Sequence, residues 1–255
     1  MNVEPSVRHP VERFPGLIRP RRAMILAAGI GKRMRPITVT TPKPLVEVGG
    51  RALIDYALDR AERAGVEAAV VNVHYLADLV RVHVGRRQRP RILISDERDR
   101  LLDTGGGVAR ALPHFGGERF YALNADSFWI EGARPNLDWL AAGWRDEAMD
   151  ALLLVASTVH AIGYHGVGDF RMSPTGALLR RGEREVAPFA YAGAAILHPR
   201  LFADCPGGPF SLNLLFDRAI EAGRLFGVRM DGLWIHVGTP EAVGEAELSI
   251  ADSAA

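Results

Sequence analysis

The sequence predicts an α/β protein with a mixed, mostly parallel β-sheet that carries helices on both faces. Three observations support this prediction. Short apolar runs of strand length alternate with amphipathic stretches of helical length, a glycine-rich loop follows the first apolar run, and a later apolar run ends in Asn-Ala-Asp. Because crossover connections between parallel strands have one hand, ligands bind at the edge of the sheet where the carboxyl ends of the strands meet. We expect the functional residues there.

The composition is that of an ordinary globular protein. The chain has 255 residues, of which 48% are hydrophobic and 24% charged, enough for one large domain with a sizeable core. A formal net charge of +1 and the lack of a dense basic run exclude a protein that coats nucleic acid. Cys205 is the single cysteine, so no intrachain disulfide can form, and we expect a reducing, cytoplasmic location.

The chain is predicted to consist of a loose N-terminal arm and a single domain. Residues 1–20 carry prolines at positions 5, 10, 15 and 20 and no apolar segment, which is unlike a signal peptide. No apolar run reaches the roughly 18 residues that a membrane span requires, so we expect no membrane partner. Residues 21–255 form the predicted domain, in two parts at about 21–150 and 151–255, because the residue pattern changes near residue 151.

The loop that follows the first apolar run, residues 26–45, has the composition of a phosphate-binding segment. Gly29 and Gly31 lack a Cβ atom, so the backbone can turn with positive φ and bring its N–H groups close to a phosphate. Arg33 can bind two phosphate oxygens at once, and Lys43 adds a movable point charge. This combination suits a triphosphate.

Apolar periodicity predicts the order of the helices and strands. Helices are predicted at 52–64, 76–84 and 136–147, and strands at 22–25, 67–73, 91–94, 120–126 and 151–156. Strands separated by turns are predicted over 163–183, then a strand at 191–197, a helix at 211–222 capped by Ser211, strands at 226–230 and 233–237, and a terminal helix.

The segment 101–112 is predicted to be a helix that opens with three glycines at 105–107. Backbone amides at such a helix start can meet the edge of a nucleobase or an anion. The alternative interpretation is a glycine turn that Thr104 caps. Just upstream, Asp96 and Glu97 either accept the N3–H group of a pyrimidine or form a solvated charged turn, and the solvated turn is favoured.

Asp126 is the best metal-ligand candidate in the chain. It ends the predicted strand at 120–126, which places its carboxylate at the carboxyl edge of the sheet, beside the glycine-rich loop. Mg²⁺ binds hard oxygen ligands and retains waters, so one carboxylate together with substrate phosphates makes a reasonable site. The alternative is that Asp126 caps the turn that follows.

The part of the chain after residue 151 carries polar groups suited to a second ligand. Tyr164, Asp169 and Glu183 offer hydrogen-bonding groups for hydroxyls. Gly193, inside a predicted strand, permits the close approach of a ligand.

The spacing G-x-G-x-R-M-x-P-x-T, followed by P-K-P-L, resembles the signature of the sugar-1-phosphate nucleotidyltransferases, and the resemblance extends over about residues 22–250. Two other glycine loops fit poorly. A dinucleotide-binding loop would need a third glycine in G-x-x-G, and a P-loop would need G-K-[ST]. The resemblance implies a Rossmann-like nucleotide-diphospho-sugar transferase fold. It also implies a reaction that joins a nucleoside triphosphate to a sugar 1-phosphate.

The resemblance implies roles for particular residues. Arg33 and Lys43 would be catalytic, and Asp126 and His236 would hold Mg²⁺, with Mn²⁺ as the alternative ion. Asp169, Glu183 and Gly193 would contact the sugar in the part at 151–255. The nucleotide would lie in the part at 21–150 on Leu26, Ala27, Ala28, Gly29, Gly31, Lys32, Gly105, Gly106 and Asn124. The partners would be a nucleoside triphosphate and a sugar 1-phosphate, without nucleic acid, and the protein would be a monomer or a homodimer.

His236 departs from the family pattern. The segment W-I-H-V-G-T-P-E resembles the family's W-x-D-V-G-T-P-E, in which the aspartate helps to hold magnesium. A neutral imidazole is a poor Mg²⁺ ligand and prefers borderline metals. Three interpretations stay open, in order of preference: His236 hydrogen-bonds a phosphate while Asp126 alone holds Mg²⁺, His236 binds a softer metal, or the chain binds nucleotide without turnover.

Within the family, the compact length and the L-D-T-G-G-G, N-A-D and W-I-H-V-G-T-P segments most resemble uridylyltransferases that act on N-acetylmuramic acid 1-phosphate in cell-wall recycling. Mannose-1-phosphate guanylyltransferases come second. A cytidylyltransferase for a phosphorylated alcohol such as phosphocholine is a weaker alternative. A nucleotide-binding regulatory protein without turnover is the alternative from another class, and His236 is its sole support.

Overall fold

The computed structural model describes residues 16–254. The strands are β1 (Arg22–Leu26), β2 (Glu47–Val48), β3 (Arg51–Ala52), β4 (Ala68–Val73), β5 (Arg91–Asp96), β6 (Phe120–Asn124), β7 (Ser127–Glu131), β8 (Ala151–Ser157), β9 (Phe170–Met172), β10 (Leu178–Arg180), β11 (Phe189–Leu197), β12 (Leu225–Arg229) and β13 (Gly232–His236). The α-helices are α1 (Leu53–Arg63), α2 (Ala77–Val84), α3 (Asp103–Ala111), α4 (Asn136–Gly143), α5 (Leu212–Glu221) and α6 (Pro240–Ala254). Within this range, no helix combines the length and the apolar character needed to cross a membrane.

One large mixed sheet forms the centre of the molecule, as the sequence predicts. Its strands run in the order β10-β9-β11-β6-β1-β4-β5, and β8 joins β11 to β12. The neighbours β6, β1, β4 and β5 are parallel, so their carboxyl ends meet at one edge. Strand β11 runs antiparallel to β6 and to β8, which makes the sheet mixed.

Helices cover both faces of this sheet because successive strand residues point to opposite sides. In β1, Ile25 belongs to the core with α1, α2 and α4, whereas Met24 belongs to the core with α3 and α5. Leu58 of α1 packs in the first of these cores and Leu215 of α5 in the second, both fully buried. The strands therefore read as continuous apolar runs, since neither face meets water.

A smaller two-stranded sheet, β7 paired antiparallel with β13, lies beside the carboxyl edge of the large one. Its register sets Ser127 opposite His236. The sequence pattern did not indicate β7, and the strand predicted at 120–126 ends two residues early, at Asn124. Asp126 lies in the two-residue turn that joins β6 to β7. The backbone N–H of Val237 donates to the Asp126 carbonyl at 3.0 Å, which ties this turn to the end of β13.

Two further boundaries differ from the predictions. Helix α4 ends at Gly143, four residues before the predicted end, because Trp144 adopts an extended conformation with φ of −69° and ψ of 131°. Of the predicted loose arm, residues 1–15 lie outside the described part. Residues 16–20 pack on the domain, where Arg19 Nε donates to Asp138 Oδ1 at 2.7 Å and Pro20 is buried.

Candidate active site

Two adjoining cavities open at the carboxyl edge of the parallel strands, where the sequence places the functional residues. The larger, of about 410 Å³, is lined by Leu26, Ala28, Gly29, Asn72, Leu101, Asp103, Thr104, Asn124, Asp126 and Pro209. The smaller, of about 220 Å³, is lined by Gly29, Gly31, Lys32, Arg33, Lys43, Asp126 and Gly238. Both include Gly29 and Asp126, so these two residues mark the junction.

The glycine-rich loop keeps its shape because Gly31 is left-handed, with φ of 68°. A Cβ atom at Gly31 would lie 3.0 Å from the side chains of Lys43 and Thr38, so a larger residue is disfavoured there by both strain and crowding. Thr38 Oγ1 donates to the Gly31 carbonyl at 2.8 Å and closes the loop. Buried Met34 anchors the loop between its glycines and Lys43, while Arg33 stays exposed at the rim of the smaller cavity.

Lys43 and Asp126 meet at the junction of the two cavities. Lys43 Nζ lies 2.8 Å from Asp126 Oδ2, and the lysine side chain is only 10% exposed. Although burial by itself raises the pKa of Asp126, the Lys43 ammonium and the neighbouring His236 and Arg33 lower that pKa below its usual value. The carboxylate is therefore ionised at neutral pH, and the lysine is held in place before any ligand arrives.

His236, the last residue of β13, lies behind the wall of the smaller cavity, where a Cβ atom at Gly238 would be 2.7 Å from its Nε2. Its ring contacts those of Trp234, with centroids 5.7 Å apart, and Tyr164, at 6.4 Å. Burial lowers the pKa of His236, Lys43 and Arg33 lower it further, and Asp126 opposes them. The imidazole is therefore neutral at pH 7, with one ring nitrogen that can donate a hydrogen bond and one that can accept.

At the junction of the two cavities, the carboxylate of Asp126 is the group that suits a hard cation. In the described part of the chain, no group of three or more His, Cys, Asp or Glu side chains is arranged to hold a metal ion. A partly exposed carboxylate that is joined by phosphate oxygens and waters fits the usual coordination of Mg²⁺. The roles of Mg²⁺, Mn²⁺ and His236 stay predictions.

The backbone amides of the first two glycines of α3 are hydrogen-bonded within the protein, and their role as nucleotide contacts stays a prediction. The N–H groups of Gly105 and Gly106 donate to the Phe210 carbonyl at 2.8 and 3.1 Å. A Cβ atom at Gly105 would collide with the Phe210 ring, so this glycine admits the segment before α5. The glycines are thus used for packing between chain segments.

Asp103 and Thr104, at the start of α3, line the larger cavity, whereas the glycines that follow them do not. Asp103 has an unusual φ of 60°, and its Oδ1 accepts the N–H of Thr104 at 2.6 Å. The alternative interpretation, in which Thr104 caps the glycine turn, is wrong. The Thr104 hydroxyl instead accepts the N–H of Leu212, the first residue of α5, at 2.9 Å.

Sequence reasoning missed Asn72 and misjudged Glu97. The favoured solvated turn is wrong for Glu97, which is 0% exposed and accepts hydrogen bonds from Asn72 Nδ2 and the Leu102 N–H. Asp96 behaves as predicted for a charged turn, because it pairs with Arg98 at the surface. Asn72 is 2% exposed and lines the larger cavity. A single asparagine near the end of the apolar run A-A-V-V-N-V was the signal that could have found it.

The three predicted sugar contacts have different surroundings. Gly193 has φ of 79° and lies at an irregularity in β11, where an added Cβ would be 3.1 Å from Asn124 Cβ. Asp169 Oδ2 accepts the N–H of Tyr191 at 2.8 Å, so this carboxylate holds the same strand. Glu183 is exposed, and it is not among the described residues that line the two cavities. Gly193 thus adjoins Asn124, a residue of the wall of the larger cavity.

The sequence of the chain is similar to those of known nucleotidyl transferases. The profile described as Nucleotidyl transferase matches residues 22–155. The chain is 48% identical over 238 residues to N-acetylmuramate alpha-1-phosphate uridylyltransferase of Caulobacter vibrioides, covering 92% of this chain and 98% of that protein. It is 32% identical to the protein of the same name from Neisseria meningitidis serogroup B, covering 89% and 96%. It is 26% identical to Mannose-1-phosphate guanylyltransferase catalytic subunit beta of Danio rerio, covering 86% and 62%.

Solved structures agree on the fold. HddC from Yersinia pseudotuberculosis complexed with GMP-PN superposes with a TM-score of 0.72 at 21% identity, covering 90% of this chain and 99% of that one. UDP-glucose pyrophosphorylase complexed with UDP-glucose superposes with a TM-score of 0.73 at 18% identity, covering 91% and 99%. These similarities confirm the predicted nucleotide-diphospho-sugar transferase fold.

Proposed function

The chain belongs to the nucleotidyl transferase family, and from that premise we propose that it transfers a uridylyl group from UTP to N-acetylmuramic acid 1-phosphate, giving a UDP-sugar and pyrophosphate. The observation that carries the reaction type is the meeting of Lys43 and Asp126 at the junction of the two cavities. The choice of UTP and of the sugar is supported by the 48% identity with the Caulobacter relative along 98% of its length.

The two cavities suit the two ends of UTP. The base and ribose would occupy the larger cavity, against Ala28, Asp103 and Thr104. The triphosphate would pass Gly29 at the junction and enter the smaller, cationic cavity. There the exposed Arg33 can bind two oxygens of the β- and γ-phosphates, and the loop amides can approach closely because glycines carry no side chain.

The chemistry needs positioning and charge neutralisation more than covalent catalysis. A phosphate oxygen of the sugar 1-phosphate attacks the α-phosphorus in line, a new P–O bond forms, and the bond from the α-phosphorus to the bridging oxygen of pyrophosphate breaks. Lys43 lies where negative charge develops on the α-phosphoryl group. A general base is not required, because a phosphate monoester with a second pKa of about 6 is already ionised at neutral pH.

Asp126 would hold Mg²⁺ together with phosphate oxygens of the substrates, and the ion would supply further neutralisation of charge. Because Lys43 uses Oδ2 of Asp126, Oδ1 is the oxygen available to a cation. Neutral His236 would hydrogen-bond a phosphate oxygen, which we prefer to its binding of a softer metal.

The sugar would enter from the side of β11. Gly193 leaves space beside Asn124, and Asp169 positions this strand through the N–H of Tyr191. Glu183 stays a predicted sugar contact, from the turn that follows β10. Because N-acetylmuramic acid is a cell-wall sugar, we place the reaction in peptidoglycan recycling, in the cytoplasm.

The test is to measure pyrophosphate release with Mg²⁺ and each of UTP, GTP, CTP, ATP and dTTP, against N-acetylmuramic acid 1-phosphate, mannose 1-phosphate and phosphocholine. We expect release with UTP and N-acetylmuramic acid 1-phosphate. The best pair is then repeated with Mn²⁺, and an advantage for Mn²⁺ over Mg²⁺ would favour His236 as a metal ligand.

Other outcomes would contradict the proposal in distinct ways. Release with GTP and mannose 1-phosphate would move the assignment to a guanylyltransferase, and release with CTP and phosphocholine to a cytidylyltransferase. No release in either metal, while a nucleotide still raises the melting temperature, would indicate a binding protein without turnover.

A further inference from the structure

Two buried side chains, Asn72 and Glu97, join the two loops that enclose the larger cavity. Asn72 is the penultimate residue of β4, and Glu97 directly follows β5. They are 2% and 0% exposed. The Ala27 N–H, in the glycine-rich loop, donates to Asn72 Oδ1 at 2.7 Å, and the Leu102 N–H, in the loop before α3, donates to Glu97 Oε2 at 3.3 Å. Asn72 Nδ2 donates to Glu97 Oε1 at 2.8 Å and completes the connection.

The direction of every hydrogen bond in this connection is set by its two ends. A backbone N–H can only donate, so Ala27 requires the oxygen of Asn72 and turns its NH₂ group toward Glu97. Leu102 likewise requires an acceptor. Both carboxylate oxygens of Glu97 must therefore accept, which an amide at this position could not do.

We propose that Asn72 and Glu97 are positioning residues for the nucleotide, because together they set the separation of the two loops between which the base and ribose bind. Ala28 follows the bonded Ala27, Leu101 and Asp103 flank the bonded Leu102, and all three line the cavity. This inference rests on the proposed function for the identity of the nucleotide.

Helix α3 also packs on the pair. A Cβ atom at Gly107 would lie 2.8 Å from both Asn72 Nδ2 and Glu97 Oε1, so the helix backbone approaches the two side chains as closely as a glycine allows. The position of the pair therefore determines the position of the start of α3, which carries Asp103 and Thr104 into the cavity wall.

Substitutions that keep the size of the side chains test the proposal. In Glu97→Gln, the new NH₂ group must face a donor, either Asn72 Nδ2 or the Leu102 N–H. In Asn72→Asp, a second carboxylate faces that of Glu97. In the double variant N72D/E97Q, the aspartate accepts from Ala27 and from the glutamine NH₂, and the glutamine oxygen accepts from Leu102. Every donor again meets an acceptor, and the pair keeps its charge.

We expect each single variant to raise the dissociation constant for UTP by about 10-fold or more, the usual effect of an unsatisfied buried polar group. The double variant should bind UTP at least about 5-fold more tightly than either single variant. Binding is measured by calorimetry with UTP. The KM for the sugar 1-phosphate at saturating UTP should change by less than about 3-fold in all three variants.

Asn136→Asp is the matched control. Asn136 is also fully buried and also donates to a glutamate, with Nδ2 at 2.6 Å from Glu131 Oε2, but it lies at the start of α4 and lines neither cavity. Its variant should lower the melting temperature without weakening UTP binding. A loss of UTP affinity equal to that of Asn72→Asp would mean that general destabilisation explains both, and would overturn the proposal.

The proposal is also overturned if the single variants bind UTP as the wild type does, or if the double variant is no better than the single ones. If a single variant does not fold, the double variant decides by comparison with the wild type, since its hydrogen bonds are complete. If the wild type prefers another of the five nucleotides, the uridylyl assignment fails, and the same comparison with that nucleotide still decides the role of the pair. A wild type that binds none of them overturns both.

Discussion

At the scale of single residues, the site depends on charges that are held in place by burial. Lys43 is 8% exposed and paired with Asp126, whereas Lys32, from the same loop, is exposed. Both line the smaller cavity. A lysine whose position is already restricted loses less side-chain entropy on binding, so its charge can act where it is needed in the transition state.

Lys43→Met should therefore lower kcat by about 100- to 1,000-fold, as expected for the removal of one preorganised group that stabilises transition-state charge. Lys32→Met, the comparison variant, should lower kcat by less than about 10-fold because its ammonium is solvated. Steady-state pyrophosphate release measures both. Equal losses in the two variants would contradict a special role for Lys43.

At the scale of helices and strands, glycines have different uses in different helices. Gly105 lies in α3 against Phe210, which is 8% exposed, and Gly244 lies on the exposed side of α6. Alanine is the better helix former by about 1 kcal/mol, so propensity alone favours alanine at both positions. Packing decides differently at each of them.

Gly105→Ala should destabilise the protein by about 2 kcal/mol or more, because the new methyl group displaces the Phe210 segment that packs on α3. Gly244→Ala, the control, should stabilise it by up to about 1 kcal/mol, since no described atom outside its own stretch of helix lies within 4 Å of the new Cβ. Urea unfolding monitored by circular dichroism measures both free energies. A Gly105→Ala variant as stable as Gly244→Ala would show that the Phe210 contact is not tight.

At the scale of the whole molecule, the two predicted parts of the domain, 21–150 and 151–255, share one sheet. Strand β11 from the second part pairs with β6 of the first and with β8 of its own part. The core beneath α1 also combines both, since Leu58 and Ile196 belong to one cluster. Among the residues that the structure describes, each of the three hydrophobic clusters combines side chains from both parts, so the two parts share their core.

We therefore expect one cooperative unfolding transition in urea, with the same midpoint by far-UV circular dichroism and by tryptophan fluorescence. Trp129, from the first part, lies opposite Trp234, from the second part, in the β7–β13 pair, so their fluorescence reports on the contact between the two parts. Saturating nucleotide should shift both curves together, by about 2.7 kcal/mol at a free concentration 100 times the dissociation constant. Two transitions, or a shift of only one probe, would instead indicate independent domains.

The sequence alone determined the features that depend on neighbouring residues. Apolar runs identified β1, β4 and β6, because strands with helices on both faces bury every residue. The motif that contains Gly31, Arg33 and Lys43 identified the phosphate loop, because its glycine and proline conformations are local properties of the chain. Asp126 could be placed at the sheet edge for the same reason, since the apolar run of the predicted strand ends in Asn-Ala-Asp.

Only the tertiary structure decided how groups distant in the chain are paired. Asn72 hydrogen-bonds residues 45 and 25 positions away, Ala27 and Glu97, so no local pattern could show that Glu97 is buried. The Gly105 and Gly106 amides are occupied by Phe210, about a hundred residues later. Periodicity reports which face of an element is apolar, but whether a polar group meets water, a ligand or another polar group depends on which segments the fold brings against it.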